Sequence, residues 1–282
     1  MHLITYPKLK IHSWGGLGSQ LYALATAMQI QERFPKRAIE ITIHTGGVTK
    51  RDVEILPILN NLFDVERVDD YSSPVIRHDQ PEGFREYIYK FFNKFARALL
   101  IFSGFLSLAN TEKELTKTRP WVLSIRGHYF YRPIDGKFLE FLIRQLSDYQ
   151  QLDRSEKYRV AIHYRMGDLL KLKQKSFVPV GKIVEVINKV VEFKSDVELL
   201  VYSDSPNEAK AMLRSAGVTQ EISLIRASTL QVLGQCLDVD FFIGTNSKVS
   251  LWIVNMRRFL GRAEANFLEG FDQQLYMSKQ PS

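Results

Sequence analysis

The chain has 282 residues, of which 45% are hydrophobic, and a net charge of +7 at neutral pH. This length suits one large domain or two of medium size, and the hydrophobic share is enough for a sizeable core. The modest positive excess favours anionic partners such as nucleotides or phospholipid headgroups. Because basic residues are not interleaved with aromatic ones as in RNA-binding proteins, we expect no nucleic acid partner.

Cysteine content and the first residues bear on location. Cys236, the single cysteine, cannot form an internal disulfide. The first residues show no basic region followed by an apolar run, so no signal peptide is visible. Both features are typical of an intracellular protein, and we expect a cytoplasmic location.

The N-terminal residues predict a strand, a helix and a second strand. Leu9 and Ile11 alternate with polar residues, and the strand that they predict ends in Gly15-Gly16-Leu17-Gly18. Apolar residues then recur at helical spacing until Pro35, and a second strand is expected over 38–44. The glycines allow a backbone approach to an anion or sugar at the helix start, and the alternative is a plain tight turn.

A nicotinamide cofactor is disfavoured by the spacing of these glycines. Leu21 stands where a dinucleotide-binding fingerprint needs its third small residue, and Glu40 lies within the second strand rather than at its end.

The middle of the chain is less regular. Residues 52–80 are rich in loops, with a helix expected near 55–63, and Asp69-Asp70 is interpreted as a solvated turn. The stretch 84–110 is aromatic, apolar and basic, and its charge-free part, 98–110, is too short to span a bilayer. It suits either a membrane surface or a buried core helix.

The predicted domain boundary lies in the polar stretch 150–157, after a strand at 121–125 and a helix at 138–149. We therefore expect an N-terminal domain over 1–152 and a C-terminal domain over 153–282. Strands alternate with helices in the second half, which predicts a parallel α/β domain. The predicted strands are 158–163, 197–202, 222–225 and 240–244, and the predicted helices are 181–193, 206–216, 229–236 and 248–259. Ser205 to Glu208 predicts a capping box at the start of the second of these helices, and Gly217 predicts its end.

Polar side chains follow three of these strands. His163, Arg165 and Asp168 follow the first, Ser203 and Asp204 the second, and the last strand is followed by Thr245, Asn246 and Ser247. The carboxyl ends of parallel strands are where open α/β sheets bind ligands, and a guanidinium suits phosphate. The alternatives are that Arg165 pairs with Asp168 and that the hydroxyls and amide cap helices.

Asp238-Val239-Asp240 is an Asp-x-Asp sequence at the start of a strand, and paired carboxylates of this kind can hold a divalent metal ion. Only one of its two carboxylates can face a given side, so we expect no metal site there. Asp240 alone can accept hydrogen bonds from a nucleobase.

Four segments resemble the fucosyltransferase superfamily. Gly15-Gly16-Leu17-Gly18-Ser19-Gln20-Leu21 is similar to the Gly-Gly-Leu-Gly-Asn-Gln-Leu segment of the family 11 α-1,2-fucosyltransferases. His163 to Asp168 resembles the His-x-Arg-Arg-Gly-Asp segment of the superfamily, and Tyr202-Ser203-Asp204 its Phe-Ser-Asp segment. Thr245 to Trp252 resembles its Asn-Ser-x-x-Ser-x-Trp segment. The segments occur in the family's order.

The resemblance implies a GT-B fold, in which two Rossmann-like domains face each other across a cleft. It implies inverting, metal-independent transfer of L-fucose from GDP-fucose to a glycan hydroxyl, with an α-1,2 linkage, in surface polysaccharide synthesis. The N-terminal domain would then lie on the acceptor side, and the C-terminal domain would bind the donor. No cofactor or metal is expected.

The resemblance also implies roles for individual residues. Arg165 would hold the β-phosphate, His163 and Asp240 would contact the nucleoside, and Thr245 and Ser247 the diphosphate. Asp168 is the nearest candidate for the general base, with a loop-bracing role as its alternative. The expected donor-binding residues are completed by Gly15, Gly16, Gly18, Gln20, Ser203, Asp204 and Asn246.

Three departures from the family pattern keep other functions open. Met166 replaces a second arginine, Ser19 an asparagine and Leu251 a tryptophan. A different nucleotide-sugar donor and a nucleotide-binding scaffold without catalysis are therefore alternatives. A lipid-linked acceptor, reached through peripheral membrane contact of 84–110, is a further hypothesis.

Overall fold

The structure is a computed structural model that describes residues 7–46, 52–69, 84–108, 112–126, 134–153, 155–166, 178–267 and 275–276. The chain divides into two compact units, Met1–Ile134 and Asp135–Ser282. The sequence predicts a domain boundary at 152/153, which stays a prediction. The predicted helix at 138–149 thus belongs to the second unit.

Unit 1 is built on a parallel sheet with the strand order β3-β2-β1-β5-β4. Its strands are β1 (Leu9–Trp14), β2 (Ile39–His44), β3 (Asp64–Val68), β4 (Leu106–Leu108) and β5 (Ser124–Arg126). Its helices are α1 (Leu17–Arg33), α2 (Leu56–Leu59), α3 (Phe84–Ser103) and α4 (Glu112–Thr116). The predicted strand–helix–strand start is confirmed by β1, α1 and β2.

Unit 2 contains a second sheet with the strand order β11-β10-β9-β6-β7-β8, which is parallel except for the β10–β11 pair. Its strands are β6 (Tyr158–His163), β7 (Val197–Tyr202), β8 (Glu221–Leu224), β9 (Phe241–Gly244), β10 (Glu264–Asn266) and β11 (Leu275–Tyr276). Its α-helices are α5 (Gly136–Gln145), α6 (Val180–Phe193), α7 (Pro206–Ser215), α8 (Thr229–Gln235) and α9 (Lys248–Phe259). A 3-10 helix, Ser147–Tyr149, follows α5. The predicted fold class, two parallel α/β domains, is confirmed, whereas their facing arrangement stays a prediction.

The predicted strand at 158–163 is the central strand β6, with Val160 and Ile162 fully buried. Neighbours on both sides exclude water from it, and each such side chain contributes about 1.5–3 kcal/mol when it is buried. The middle of unit 1 differs more from the prediction. The helix expected near 55–63 ends at Leu59 because Asn60 and Asn61 adopt left-handed backbone conformations, and β3 follows. The apolar run predicted over 98–110 is described to residue 108, and Gly104, at φ +80°, divides that part between α3 and the edge strand β4.

The capping box expected at Ser205 is wrong in its detail. Ser205 is the N-cap of α7 and Pro206 its first residue, but the Ser205 side chain makes no capping hydrogen bond. Its backbone N–H donates instead to Ser203 Oγ at 3.1 Å. A complete capping box occurs at α8, where Ser228 and Gln231 cap each other.

A buried arginine fixes the chain before β9. The Arg257 guanidinium is fully buried and donates to the carbonyl oxygens of Cys236 at 2.9 Å, Val239 at 2.9 Å and Ala263 at 2.7 Å. Burial lowers its pKa to about 10. These charge-assisted bonds hold the α8–β9 connection against β10.

Candidate functional site at the carboxyl ends of β6 and β9

The two central strands of unit 2, β6 and β9, end side by side. They pair in parallel with His163 opposite Gly244. From β6 the chain continues to β7 and β8 on one side, and later to β9 and β10 on the other side. The ends of β6 and β9 therefore flank a topological switch point, the place where open α/β sheets bind ligands.

Thr245 links the two strand exits. It is buried, and its hydroxyl donates to His163 O at 2.7 Å while it accepts from Arg165 N at 3.0 Å. Both bonds fix the backbone that leads into Arg165. Thr245 therefore positions Arg165 through its main chain, whereas the resemblance implies that Thr245 itself contacts the diphosphate, which stays a prediction.

His163 joins the strand exit to the start of α9. Its Nδ1 lies 2.7 Å from Ser250 Oγ and 3.5 Å from Ser247 Oγ. Ser247 is the N-cap of α9, and its hydroxyl accepts from Ser250 N at 3.0 Å. Burial lowers the pKa of His163 to about 4, with Asp204 opposing and Arg165 adding to the shift. The ring is therefore neutral at pH 7 and available for hydrogen bonding.

Arg165 and Asp204 lie at the same sheet edge, and both take part in further interactions. The Asp204 carboxylate accepts from Met166 N at 2.9 Å, which ties the β6 exit to the β7 exit. Arg165 is half-buried, whereas the Met166 side chain is fully buried in the hydrophobic core. Position 166 thus contributes a core side chain and not a lining group of the site.

Ser203 and Asn246, the other residues predicted to lie in the site, follow β7 and β9 within two residues. Ser203 is half-buried and accepts from Ser205 N, a local turn contact. Asn246 is half-buried between Thr245 and the Ser247 cap. Gly167 and Asp168 lie outside the described residues, so the position of the expected general base stays a prediction.

Two residues at this edge were missed by the sequence analysis. Ser250 is fully buried and bonds His163. Lys248, the first residue of α9, is half-buried, and its pKa is lowered to about 8 by burial and then by the charge of Arg165. The signal for Lys248 was its place directly after an N-cap serine, where a cation is uncommon because the helix dipole disfavours it.

The structure does not bring Asp240 to this edge. Its carboxylate accepts from Arg159 N at 2.8 Å, at the amino ends of β6 and β9. The four residues of β9 separate it from Thr245, so the two Cα atoms are five steps apart, roughly 16 Å at the usual rise of a strand. The expected contact of Asp240 with a nucleoside therefore has no support from its placement, because an Asp before a strand and a Thr after it lie at opposite ends.

The glycine-rich segment belongs to unit 1. Gly15 has φ +103°, which favours glycine, Gly16 is the N-cap of α1, and Gly18 is buried. The side chain of Gln20 is fully buried and donates to Gly15 O at 3.1 Å and Asp52 O at 2.7 Å. Its carbonyl oxygen accepts from the backbone N–H groups of Glu54 and Ile55. Gln20 therefore holds two loops together, and donor binding by this segment stays a prediction.

A second polar cluster, the His12–Trp14–His44 stack, lies at the carboxyl ends of β1 and β2. His12 Nδ1 is 2.9 Å from His44 Nε2, and the Trp14 and His44 rings stack at 4.7 Å. Burial lowers the pKa of His12 to about 3, with contributions from Arg126 and His44. Sequence analysis missed this stack because its rings alternate with apolar residues, as in any strand.

The described part of the chain contains neither a cluster of metal ligands nor a membrane-spanning helix. No group of three or more His, Cys, Asp or Glu side chains is arranged there to hold a metal ion. None of the helices described combines the length and the apolar character needed to cross a membrane.

Comparisons with known proteins gave structural similarities at low identity. No protein-family model and no curated protein matches the chain. The structure is similar to that of POFUT1 in complex with GDP-fucose, with 12% identity, 96% of this chain and 99% of that chain covered, and a TM-score of 0.48. It is similar to NodZ α-1,6-fucosyltransferase soaked with GDP-fucose, with 13% identity, 93% and 95% covered, and a TM-score of 0.46. A glycosyl transferase family 9 protein from Veillonella parvula gives 9% identity, 93% and 80% covered, and a TM-score of 0.47.

Proposed function

We propose that this chain is a glycosyltransferase that moves L-fucose from GDP-fucose to a hydroxyl of a glycan acceptor. The observation that carries the proposal is the group formed by Arg165, His163 and the N-terminus of α9 at the switch point of unit 2. Hydrogen bonds through Thr245 and Ser250 hold this group in place. The segments that resemble the fucosyltransferase superfamily provide these same residues, and they favour GDP-fucose over other donors.

The proposed reaction is an inverting displacement. A bond forms from the acceptor oxygen to C1 of fucose, the bond from C1 to the β-phosphate oxygen breaks, and GDP leaves with the electron pair. Negative charge grows on the leaving oxygen, so a guanidinium and a helix N-terminus fixed beforehand lower the barrier. The acceptor proton passes to a general base, for which Asp168 is our candidate.

A scaffold without catalysis is less well supported by this geometry. Its one favourable feature is Met166 in place of a second arginine. Since that side chain is packed into the core, its apolar character is explained by packing and leaves Arg165 and the α9 terminus unaffected.

Thermal unfolding in the presence of GDP, UDP, dTDP, CMP and NAD, with and without magnesium, tests the nucleotide. We expect GDP alone to raise the midpoint, equally with and without magnesium, and Arg165→Ala to abolish the shift. Arg144→Ala is the matched control, because Arg144 is an exposed helix residue paired only with Glu140 among the described contacts. A response to UDP, dTDP or CMP instead would discard fucose, and a response to none would discard the donor site.

We further propose that the aromatic surface of α3 contacts an anionic membrane that carries a lipid-linked acceptor. Phe91, Phe92, Phe95, Leu99 and Phe102 are each at least 58% exposed. The α3 sequence contains four basic residues and one acidic residue. An apolar helix surface within a basic segment suits the interface of a bilayer rich in anionic lipid.

Sedimentation with vesicles tests this contact. We expect binding to phosphatidylserine-containing vesicles and much weaker binding to neutral ones. A Phe91→Ser, Phe95→Ser, Phe102→Ser variant should remain in the supernatant, while Phe193→Ser, a change of an exposed phenylalanine on α6, should bind as the wild type. Equal partitioning of the triple variant and the wild type would refute the membrane contact, as would self-association of the wild type through this surface without vesicles.

A further inference from the structure

A second cation lies on the turn of α9 that is hydrogen-bonded to the β6 exit. Lys248 opens α9, directly after the Ser247 cap, and Ser247 and Ser250 of the same turn both approach His163 Nδ1. Thr245, three residues before Lys248, bonds Arg165 N. The main chain that carries Lys248 and the main chain that carries Arg165 are thus held together by short hydrogen bonds, and the two charges are near enough to interact.

This arrangement concentrates positive charge. Lys248 lies at the positive end of the α9 dipole, and its charge and the charge of Arg165 repel each other. Of the described residues at the exits of β6, β7 and β9, Asp204 supplies the one carboxylate, and His163 is neutral at pH 7. A bound anion with more than one negative charge would offset this repulsion.

We propose that Lys248 is a further donor-binding residue, which contacts the diphosphate of the nucleotide together with Arg165. This inference rests on the proposed function, since it assumes a nucleoside diphosphate at this edge. Lys248 supplies the second cation that the family pattern places at position 166, where this chain has the core residue Met166. Compared with the family pattern, the second cation in this chain thus lies at the start of α9, which follows β9, and not at the exit of the neighbouring strand β6.

The charge state of Lys248 gives a second consequence. Its pKa of about 8 in the free protein lies close to physiological pH. A bound diphosphate favours the protonated form, so affinity should fall as the pH rises above 8. The charged or titratable groups described at this edge are Arg165, His163 and Asp204, and the neutral His163 is not expected to change charge between pH 7 and 9.

Isothermal titration of GDP and guanosine into the full chain tests the inference. We expect Lys248→Ala to weaken GDP binding about ten- to hundred-fold, the range for loss of one charge-assisted hydrogen bond. Guanosine binding should change less than about two-fold, and Lys248→Arg should retain most of the GDP affinity. Between pH 7 and 9 the wild type should lose affinity for GDP relative to Lys248→Arg, whose charge persists.

Two controls make the outcome decisive. Lys189→Ala removes an exposed helical lysine of the same unit and should bind GDP as the wild type. Lys248→Gln keeps the length of most of the side chain and replaces Lys248→Ala if that variant unfolds. Unchanged GDP affinity in both neutral variants would overturn the role of Lys248 and leave the proposed function standing. Equal weakening of guanosine and GDP would also overturn it, whereas a wild type that binds no GDP would overturn the proposed function.

Discussion

The two sheets of this protein have similar topology and very different polar edges. In each sheet a central strand, β1 or β6, has its successor on one side and the later strands on the other side. The carboxyl end of β6 carries a cation, hydroxyls and a helix start. The carboxyl end of β1 carries the His12–Trp14–His44 stack, in which the rings contact one another.

Under the proposed function, this difference implies that a switch point alone is not sufficient for a phosphate site. In unit 2 the hydroxyls of Thr245 and Ser250 bind the main chain of the β6 exit and His163, which leaves a cation at the edge with its backbone fixed. In unit 1 the rings form their own stacked cluster, and both histidines are buried. We therefore propose anion recognition in unit 2 and expect the carboxyl ends of β1 and β6 to respond differently to mutation and pH.

The largest effect is expected from Arg165. Arg165→Ala should lower the turnover of fucose transfer by about 10²–10³-fold, the cost of removing one group that stabilises a developing negative charge. Lys at this position should restore little, because an ammonium group lacks the planar fork of two donors. Steady-state assays with GDP-fucose measure this, and near-wild-type turnover of the Ala variant would remove Arg165 from the mechanism.

A smaller effect is expected from Thr245. Thr245→Val keeps the shape of the side chain but leaves Arg165 N and His163 O without their hydroxyl partner. Each buried polar group left in this way costs about 1–3 kcal/mol, so GDP affinity should fall roughly ten-fold as Arg165 loses its position. Thr245→Ser keeps the hydroxyl and should bind GDP nearly as well as the wild type. Equal affinities of the Val and Ser variants would contradict the positioning role.

The His12–Trp14–His44 stack should make the stability of unit 1 depend on pH. The pKa of His12 is lowered from 6.5 to about 3 by burial, Arg126 and His44, so the unfolded chain takes up a proton that the folded chain does not. Stability from this group is complete above pH 6.5 and is lost as the pH falls towards 3, by up to about 1.4 kcal/mol per pH unit. Hydrogen exchange of β1 and β2 at pH 7 and 5 measures it. His12→Phe, which retains a ring, should flatten the dependence, and an unchanged slope would contradict the assignment.

The smallest effect is expected from Asp240. Asp240→Asn retains an oxygen that can accept from Arg159 N, and the residue lies at the amino ends of the strands. GDP affinity should therefore change less than about two-fold by calorimetry. A loss comparable to that of Arg165→Ala would show that Asp240 belongs to the nucleotide site, and it would contradict the placement of Asp240 at the amino ends of the strands.

Local sequence patterns predicted most of unit 2. Val160 and Ile162 predicted a buried strand, and the limits of β7 and α9 agree with those predicted, because periodicity and capping are properties of neighbouring residues. Pro206 at the first helical position likewise predicted the start of α7. The same reasoning failed where a short-range signal was weak, as at Asn60 and Asn61 or in the three-residue strands β4 and β10.

The sequence by itself determined most strands and helices of unit 2, the candidate residues after three of these strands and the resemblance that favours a fucosyl donor. Only the tertiary structure decided which of these residues meet. Strand pairing places Thr245 against Arg165, and it leaves Asp240 at the amino ends of the same strands. Helix α9 brings Ser250, and with it the turn that carries Lys248, to the β6 exit. The physical reason is that contacts between residues some eighty positions apart depend on sheet order and register, which no local spacing encodes.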